Sequence, residues 1–419
     1  MLPLPSLTFT VPSIYDGTEL DCRVYHPPSS HDPSHPGVPW SGQHVAVVAH
    51  PYAPMGGCFD DPIVDITAGT LLQLGFLVAT FNFRGATSGR TSWTSKPEQA
   101  DYISVVGFLA YYVRHLGHSP GARHTSRHQL PIMLMAGYSY GAMVTTRLPP
   151  LDTILTYFAS PALHTAEAGI RLRAQYLAEV QSPRFINPMS MPRPLDIRFS
   201  GDKDASGGND DGSSPVSESE QAEQIRVNVQ NLFARANAVN RESTHWSSQR
   251  ETDNKIHPCL EEFKGDISFQ SAYITVSPPV GLVTRLATLS FSNPLSSSWM
   301  RRSKPATGTV SITDETPLAS NPTLIIYGQQ DGFITYSKMR EWTRQLSEAS
   351  ISQFHHVQVA GAGHFWAEGD VVYRLRDAIG TFATELTRLD SSSAPIPSTV
   401  NAARVAGREE NDYAAAGNS

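Results

Sequence analysis

Apolar residues in this chain gather into short unbroken runs, separated by longer stretches where they recur every three or four positions. Runs at 45–49, 76–81, 131–136 and 323–330 have the length and continuity of buried strands. Residues 7–11 and 19–25 read as two antiparallel strands that open the chain, and 355–359 as a late alternating one. Between them, 63–74 is apolar at helical spacing and meets Gly75, a residue that stops helices. A longer helix is predicted over 99–116, with Val105, Phe108, Leu109 and Tyr112 on one face and Gly117 at its end. Met339, Trp342 and Leu346 give 337–347 the same period. Strands alternating with helices imply an α/β fold, a mostly parallel central sheet with helices on both faces.

Two segments compete for the strand after 131–136. Residues 154–158 follow at short distance, whereas 272–276 are β-rich and stand one helix before 323–330. The second leaves a normal connection to the next strand and is preferred. The chain then divides into a first half, 1–149, an insertion, 150–268, a second half, 269–390, and a polar tail, 391–419, expected to be disordered. Within the insertion, 201–220 is rich in Gly, Ser, Asp and Glu and is expected to be disordered, because it buries too little apolar surface to offset ordering entropy. Its flanks, 171–180 and 220–240, have helical spacing. Their apolar positions (Ile170, Leu172, Leu177; Ile225, Val229, Leu232, Phe233) need a surface to cover; a lid over the functional site is one expectation, and a surface decoration away from the substrate is the other.

Composition narrows the field. The 419 residues carry 40% apolar side chains, enough for a sizeable core, and a net charge of −7, which argues against a nucleic-acid partner. Cys22, Cys58 and Cys259 have neither paired nor metal-like spacing, so no metal or other cofactor is expected. The start lacks the basic and apolar segments of a secretory signal, and no run approaches the ~20 apolar residues of a membrane span. The expectation is a cytoplasmic protein with no membrane span.

The chemistry concentrates at three places. Gly137-Tyr138-Ser139-Tyr140-Gly141 follows the apolar run 131–136 and precedes Ala142-Met143-Val144. Strand, sharp turn and helix around G-x-S-x-G is the pattern of a nucleophile elbow, in which the serine hydroxyl is held out at the sheet edge. Asp331 ends the run 323–330, and His364 lies just after 355–359. Serine needs a base to take its proton, which assigns that part to His364, and Asp331 would fix the imidazole tautomer. The oxyanion of the tetrahedral intermediate needs backbone donors. Tyr140, after the serine, is one; Tyr52, in the loop His50-Pro51-Tyr52-Ala53-Pro54-Met55-Gly56-Gly57, is the chosen second, with Ala53 as runner-up. Taken alone, Asp331 could instead cap the helix after it. Glu368 and Asp370 follow the histidine, the wrong side for its usual orienter. Arg84 reads as a structural ion-pair partner and His50 as a loop-shaping residue.

These motifs together resemble a known family. His50-Pro51-Tyr52 with Gly56-Gly57, Phe81-Asn82-Phe83-Arg84-Gly85, the pentapeptide around Ser139, Ser277-Pro278-Pro279-Val280-Gly281 and Gly363-His364-Phe365 are similar to the predicted serine hydrolases of the α/β-hydrolase superfamily, near its dienelactone-hydrolase and oligopeptidase-like catalytic domains. That group has His-Pro-x-Pro-x-x-Gly-Gly in the third-strand loop; here Pro54 falls one position late. The likeness spans about 5–145 and 270–387 and leaves out the insertion. It implies a Ser139–Asp331–His364 triad and hydrolysis of a small-molecule carboxylic ester or related acyl compound through an acyl-serine. Thioesterase, peptidase and non-catalytic interaction module remain the alternatives within this fold.

Overall fold

The computed structural model describes residues 1–27, 44–86, 95–117, 130–186, 195–197, 259–262, 267–280 and 316–391. Among them, nine strands form one sheet: β1 (Leu7–Pro12), β2 (Glu19–Tyr25), β3 (Val45–Ala49), β4 (Leu77–Phe81), β5 (Ile132–Tyr138), β6 (Leu195–Ile197), β7 (Gln270–Val276), β8 (Thr323–Gly328) and β9 (Phe354–Val359). Their spatial order is β6-β1-β2-β4-β3-β5-β7-β8-β9. Strand β2 runs antiparallel to β1 and β4, and the other pairings are parallel. The helices are α1 (Pro62–Gln73), α2 (Lys96–Gly117), α3 (Tyr140–Thr145), α4 (Leu151–Ala159), α5 (Ala166–Ile186), α6 (Thr316–Ser320), α7 (Tyr336–Ala349) and α8 (Val371–Ser391).

The central strands read as unbroken apolar runs because both of their faces are buried. Val45, Val47 and Ala49 of β3 enter one core with Met133 and Met135 of β5, α2 and α5. Ala46 and Val48 enter the other, with Ile132, Leu134, α1 and α8. Residues of alternating parity thus fill two cores divided by the sheet. Strand β9 lies at an edge and is half-exposed, which is why its sequence alternates.

Two sequence readings are decided here. The strand beside β5 is β7, in full register from Ile132 opposite Gln270 to Tyr138 opposite Val276, while 154–158 belongs to helix α4. The expectation that 171–180 covers the functional site is corrected. Helix α5 packs along α2 and onto β1, burying Ile170, Ala174, Leu177 and Ala178 in the core that holds Phe9, Phe108 and Tyr112. Strand β1 stands four positions from β5, about 19 Å at ordinary strand spacing. The apolar stripe of α5 covers the outer face of the sheet because that surface is adjacent in space and otherwise exposed. Arg173 pins the helix there, donating to the Thr10 carbonyl and to both oxygens of Glu19. The readings for 201–220, for 220–240 with Ile225, Val229, Leu232 and Phe233, and for the tail beyond 391 lie outside the described residues.

Candidate active site

Strand β5 delivers its last residue, Tyr138, to the carboxyl edge of the sheet, and α3 starts two residues later. Ser139 makes the turn between them with φ +52° and ψ −115°, a conformation that L-residues rarely adopt. The two flanking glycines are demanded by close approach. A Cβ on Gly137 would run into the backbone of Gly141 and Ala142, and one on Gly141 would stand 2.5 Å from the His50 carbonyl oxygen. The serine amide donates to the Val276 carbonyl at 2.9 Å, so the turn is tied to the neighbouring strand. Its amide is therefore committed, whereas Tyr140 opens α3 with an N–H that has no partner in a preceding helical turn.

Strands β8 and β9 deliver the other two residues. Ser139 Oγ lies 2.8 Å from His364 Nε2, and His364 Nδ1 lies 2.8 Å from Asp331 Oδ2. An ionised carboxylate can only accept, so Nδ1 carries the hydrogen and Nε2 presents its lone pair to the hydroxyl. The imidazole is 7% exposed and the Asp331 side chain 4%, while Ser139 remains partly open. Asp331 is a helix cap for nothing here: its second oxygen, Oδ1, accepts the Phe333 amide at 2.8 Å within the same loop. Glu368 Oε2 accepts the Gly363 amide at 3.0 Å and so shapes the histidine loop rather than the ring.

The remaining sequence candidates lie around this chain of bonds. The Tyr52 ring stands 5.1 Å from the Tyr140 ring, which makes the two candidate donor segments neighbours. Ala53 begins a short 3-10 turn just after Tyr52. His50 is fully buried, and burial lowers its pKa from 6.5 to about 4. Its Nε2 accepts the Phe83 amide at 2.8 Å, and Nδ1–H donates to the Pro51 carbonyl at 2.5 Å, so a neutral ring braces the two loops. Arg84 holds Asp101, Asp16 and Ser13, with Nη2 2.7 Å from Asp101 Oδ1. It ties the turn after β1 and the loop after β4 to helix α2, beneath the site. Among the described residues, no three His, Cys, Asp or Glu side chains converge as ligands of a metal would, and no helix is long and apolar enough to cross a membrane.

Four contacts had no counterpart in the sequence reading. The Tyr138 hydroxyl donates to the His364 carbonyl at 2.8 Å, linking the residue before the serine to the histidine loop. Trp366 Nε1 donates to Ser277 Oγ at 3.1 Å, and both residues have positive φ. The Phe333 and Phe365 rings lie 4.5 and 5.5 Å from the imidazole. The only local signal was position: Tyr138, Ser277 and Phe365 sit inside the motifs, and Phe333 and Trp366 stand two residues after Asp331 and His364.

No family model matches the chain, and no curated protein matches it. Solved structures of similar architecture include an α/β serine hydrolase without lid from Xanthomonas campestris, at 17% identity over 92% of this chain and 97% of that one, with a TM-score of 0.43. A second is an α/β serine hydrolase homologue from Coxiella burnetii, at 14% identity over 91% and 99%, with a TM-score of 0.39. A third is Est1E from Butyrivibrio proteoclasticus with ferulic acid bound, at 12% identity over 90% and 99%, with a TM-score of 0.40. The strand order and register carry the fold, independently of these likenesses.

Proposed function

We propose, for a chain with the α/β-hydrolase fold, that it is a serine hydrolase cleaving a carboxylic ester or related small acyl compound through an acyl-serine intermediate. The observation that carries this reading is the unbroken pair of 2.8 Å contacts from Ser139 Oγ through His364 to Asp331. As Oγ attacks the acyl carbon, its proton passes to His364 Nε2. The carbonyl oxygen becomes an oxyanion beside the amides of Tyr140 and, from the 50–57 loop, Tyr52; one such donor contributes about 2.7–4 kcal/mol to the transition state. Collapse of the intermediate breaks the bond to the leaving group, whose oxygen takes the proton from Nε2. Water then repeats the sequence, releasing the acid and regenerating the serine. Asp331 keeps the hydrogen on Nδ1 and stabilises the imidazolium.

The test is covalent labelling of the full chain with a fluorophosphonate probe, together with hydrolysis of p-nitrophenyl acetate. Label is expected on Ser139 and absent from Ser139→Ala, whose turnover falls by on the order of 10⁴-fold or more while its thermal unfolding is unchanged. A folded wild-type protein that takes no label would overturn the reading in favour of a non-catalytic role for the fold.

A further inference from the structure

We propose that Phe333 and Phe365 form the subsite for the leaving group, and that this subsite selects esters of aromatic or similarly bulky apolar alcohols. The inference rests on the hydrolase reading above and extends it to substrate class. Two large apolar side chains stand exposed at the site, Phe333 at 38% and Phe365 at 62%. Single exposed apolar residues are ordinary. These two meet edge to face at 5.7 Å and both flank the imidazole of His364. Neither is there by looseness of its loop. The Phe333 amide is held by Asp331 Oδ1, the carboxylate that also contacts the imidazole. Phe365 stands between His364 and Trp366, whose side chain is buried and anchored to Ser277.

The chemistry says which half of the substrate they meet. In the step that breaks the ester bond, the leaving-group oxygen takes the proton from Nε2 and must come within about 3 Å of it. Whatever is attached to that oxygen then spreads over the surface around His364, while the acyl carbonyl is drawn to the amides of Tyr140 and Tyr52. A planar apolar group there gains ring-to-ring contact and desolvates the two phenylalanines. A negatively charged group is disfavoured there, because the Asp331 and Glu368 carboxylates lie in the same two loops.

Alkyl acetates separate the possibilities, because they share one acetyl-enzyme and one deacylation step. Wild-type protein is expected to prefer benzyl over ethyl acetate by roughly tenfold or more in kcat/KM, the scale of an added apolar contact in a fitted pocket. Phe333→Ala and Phe365→Ala are each expected to reduce that ratio several-fold, mainly through acylation and KM, and the double variant to bring it close to one. Phe333→Leu should restore part of it. Fluorophosphonate labelling of Ser139 runs alongside in every variant. Labelled, folded proteins with one unchanged ratio would overturn the subsite assignment and leave the hydrolase reading intact. So would a wild-type protein that favours ethyl acetate, which needs no variant. Absence of label in wild type would instead remove the hydrolase reading itself.

Discussion

Asp331 divides its carboxylate between two partners, Oδ2 toward His364 and Oδ1 toward the Phe333 amide. Asp331→Asn keeps the size of the side chain but can donate where it should only accept, which favours the wrong imidazole tautomer. Turnover of p-nitrophenyl acetate is expected to fall roughly 10⁴-fold with the fold retained. A normal rate would shift the role to another carboxylate, Asp370 first. Tyr138 acts on the backbone of the same histidine. Tyr138→Phe leaves the His364 carbonyl without its 2.8 Å donor, and an unsatisfied buried acceptor costs about 1–3 kcal/mol. A lower melting temperature and a few-fold lower kcat at unchanged KM are expected, with labelling of Ser139 retained but slowed. Equal effects on kcat and KM would mean the bond serves only the fold. Beneath the site, Arg84→Met would remove the charged partner of the fully buried Asp101 and leave it the residue 84 amide, a loss on the order of 3–5 kcal/mol by denaturant unfolding.

At the scale of elements, the elbow and helix α5 make opposite cases. The elbow is short and dictated by backbone contacts: strand, Ser139 at positive φ, helix, with the glycines filling spaces no side chain could share. Its type was legible from five residues because sterics act locally. Helix α5 was legible as a helix but not as to what it covers. Its apolar stripe reports that one face is buried, and the sheet edge at β1 supplied the partner. Leu177→Ala is therefore expected to destabilise the protein by about 2–5 kcal/mol in denaturant unfolding while leaving selectivity among esters unchanged. A shift in acyl-chain preference with little loss of stability would return the helix to the role of a lid.

Over the whole molecule, acid sensitivity follows from burial of neutral histidine. The folded protein holds His50 unprotonated down to about pH 4, whereas the unfolded chain takes its proton near 6.5. Between those values the unfolded state binds more protons, so stability rises with pH and is lost as pH falls from 6.5 towards 4. The span corresponds to on the order of 3 kcal/mol. Burial pushes His26 and His44 the same way. Denaturant unfolding at pH 7 and pH 4.5 is expected to show the loss, and His50→Gln, which can still accept the Phe83 amide, to shrink it. An identical pH dependence in the variant would mean that His50 is charged or solvated in the folded state.

The sequence by itself determined the strands other than β6, because continuous apolar runs such as 45–49 and 131–136 are satisfied where both faces of a sheet are covered. It also determined the elbow and the chain order of Ser139, Asp331 and His364, since each follows an apolar run closed by glycine or turn residues. The choice of 272–276 over 154–158 as the strand beside β5 was legible too, through connection length. Only the tertiary structure decided where α5 lies, that Tyr138 reaches a carbonyl 226 residues away, and that Phe333 and Phe365 face the imidazole rather than the core. Hydrophobic periodicity and local sterics act over a few residues and are written in the chain. The partner of a buried face or of a hydroxyl depends on which distant segments the fold brings alongside it, and that is fixed only when the sheet is assembled.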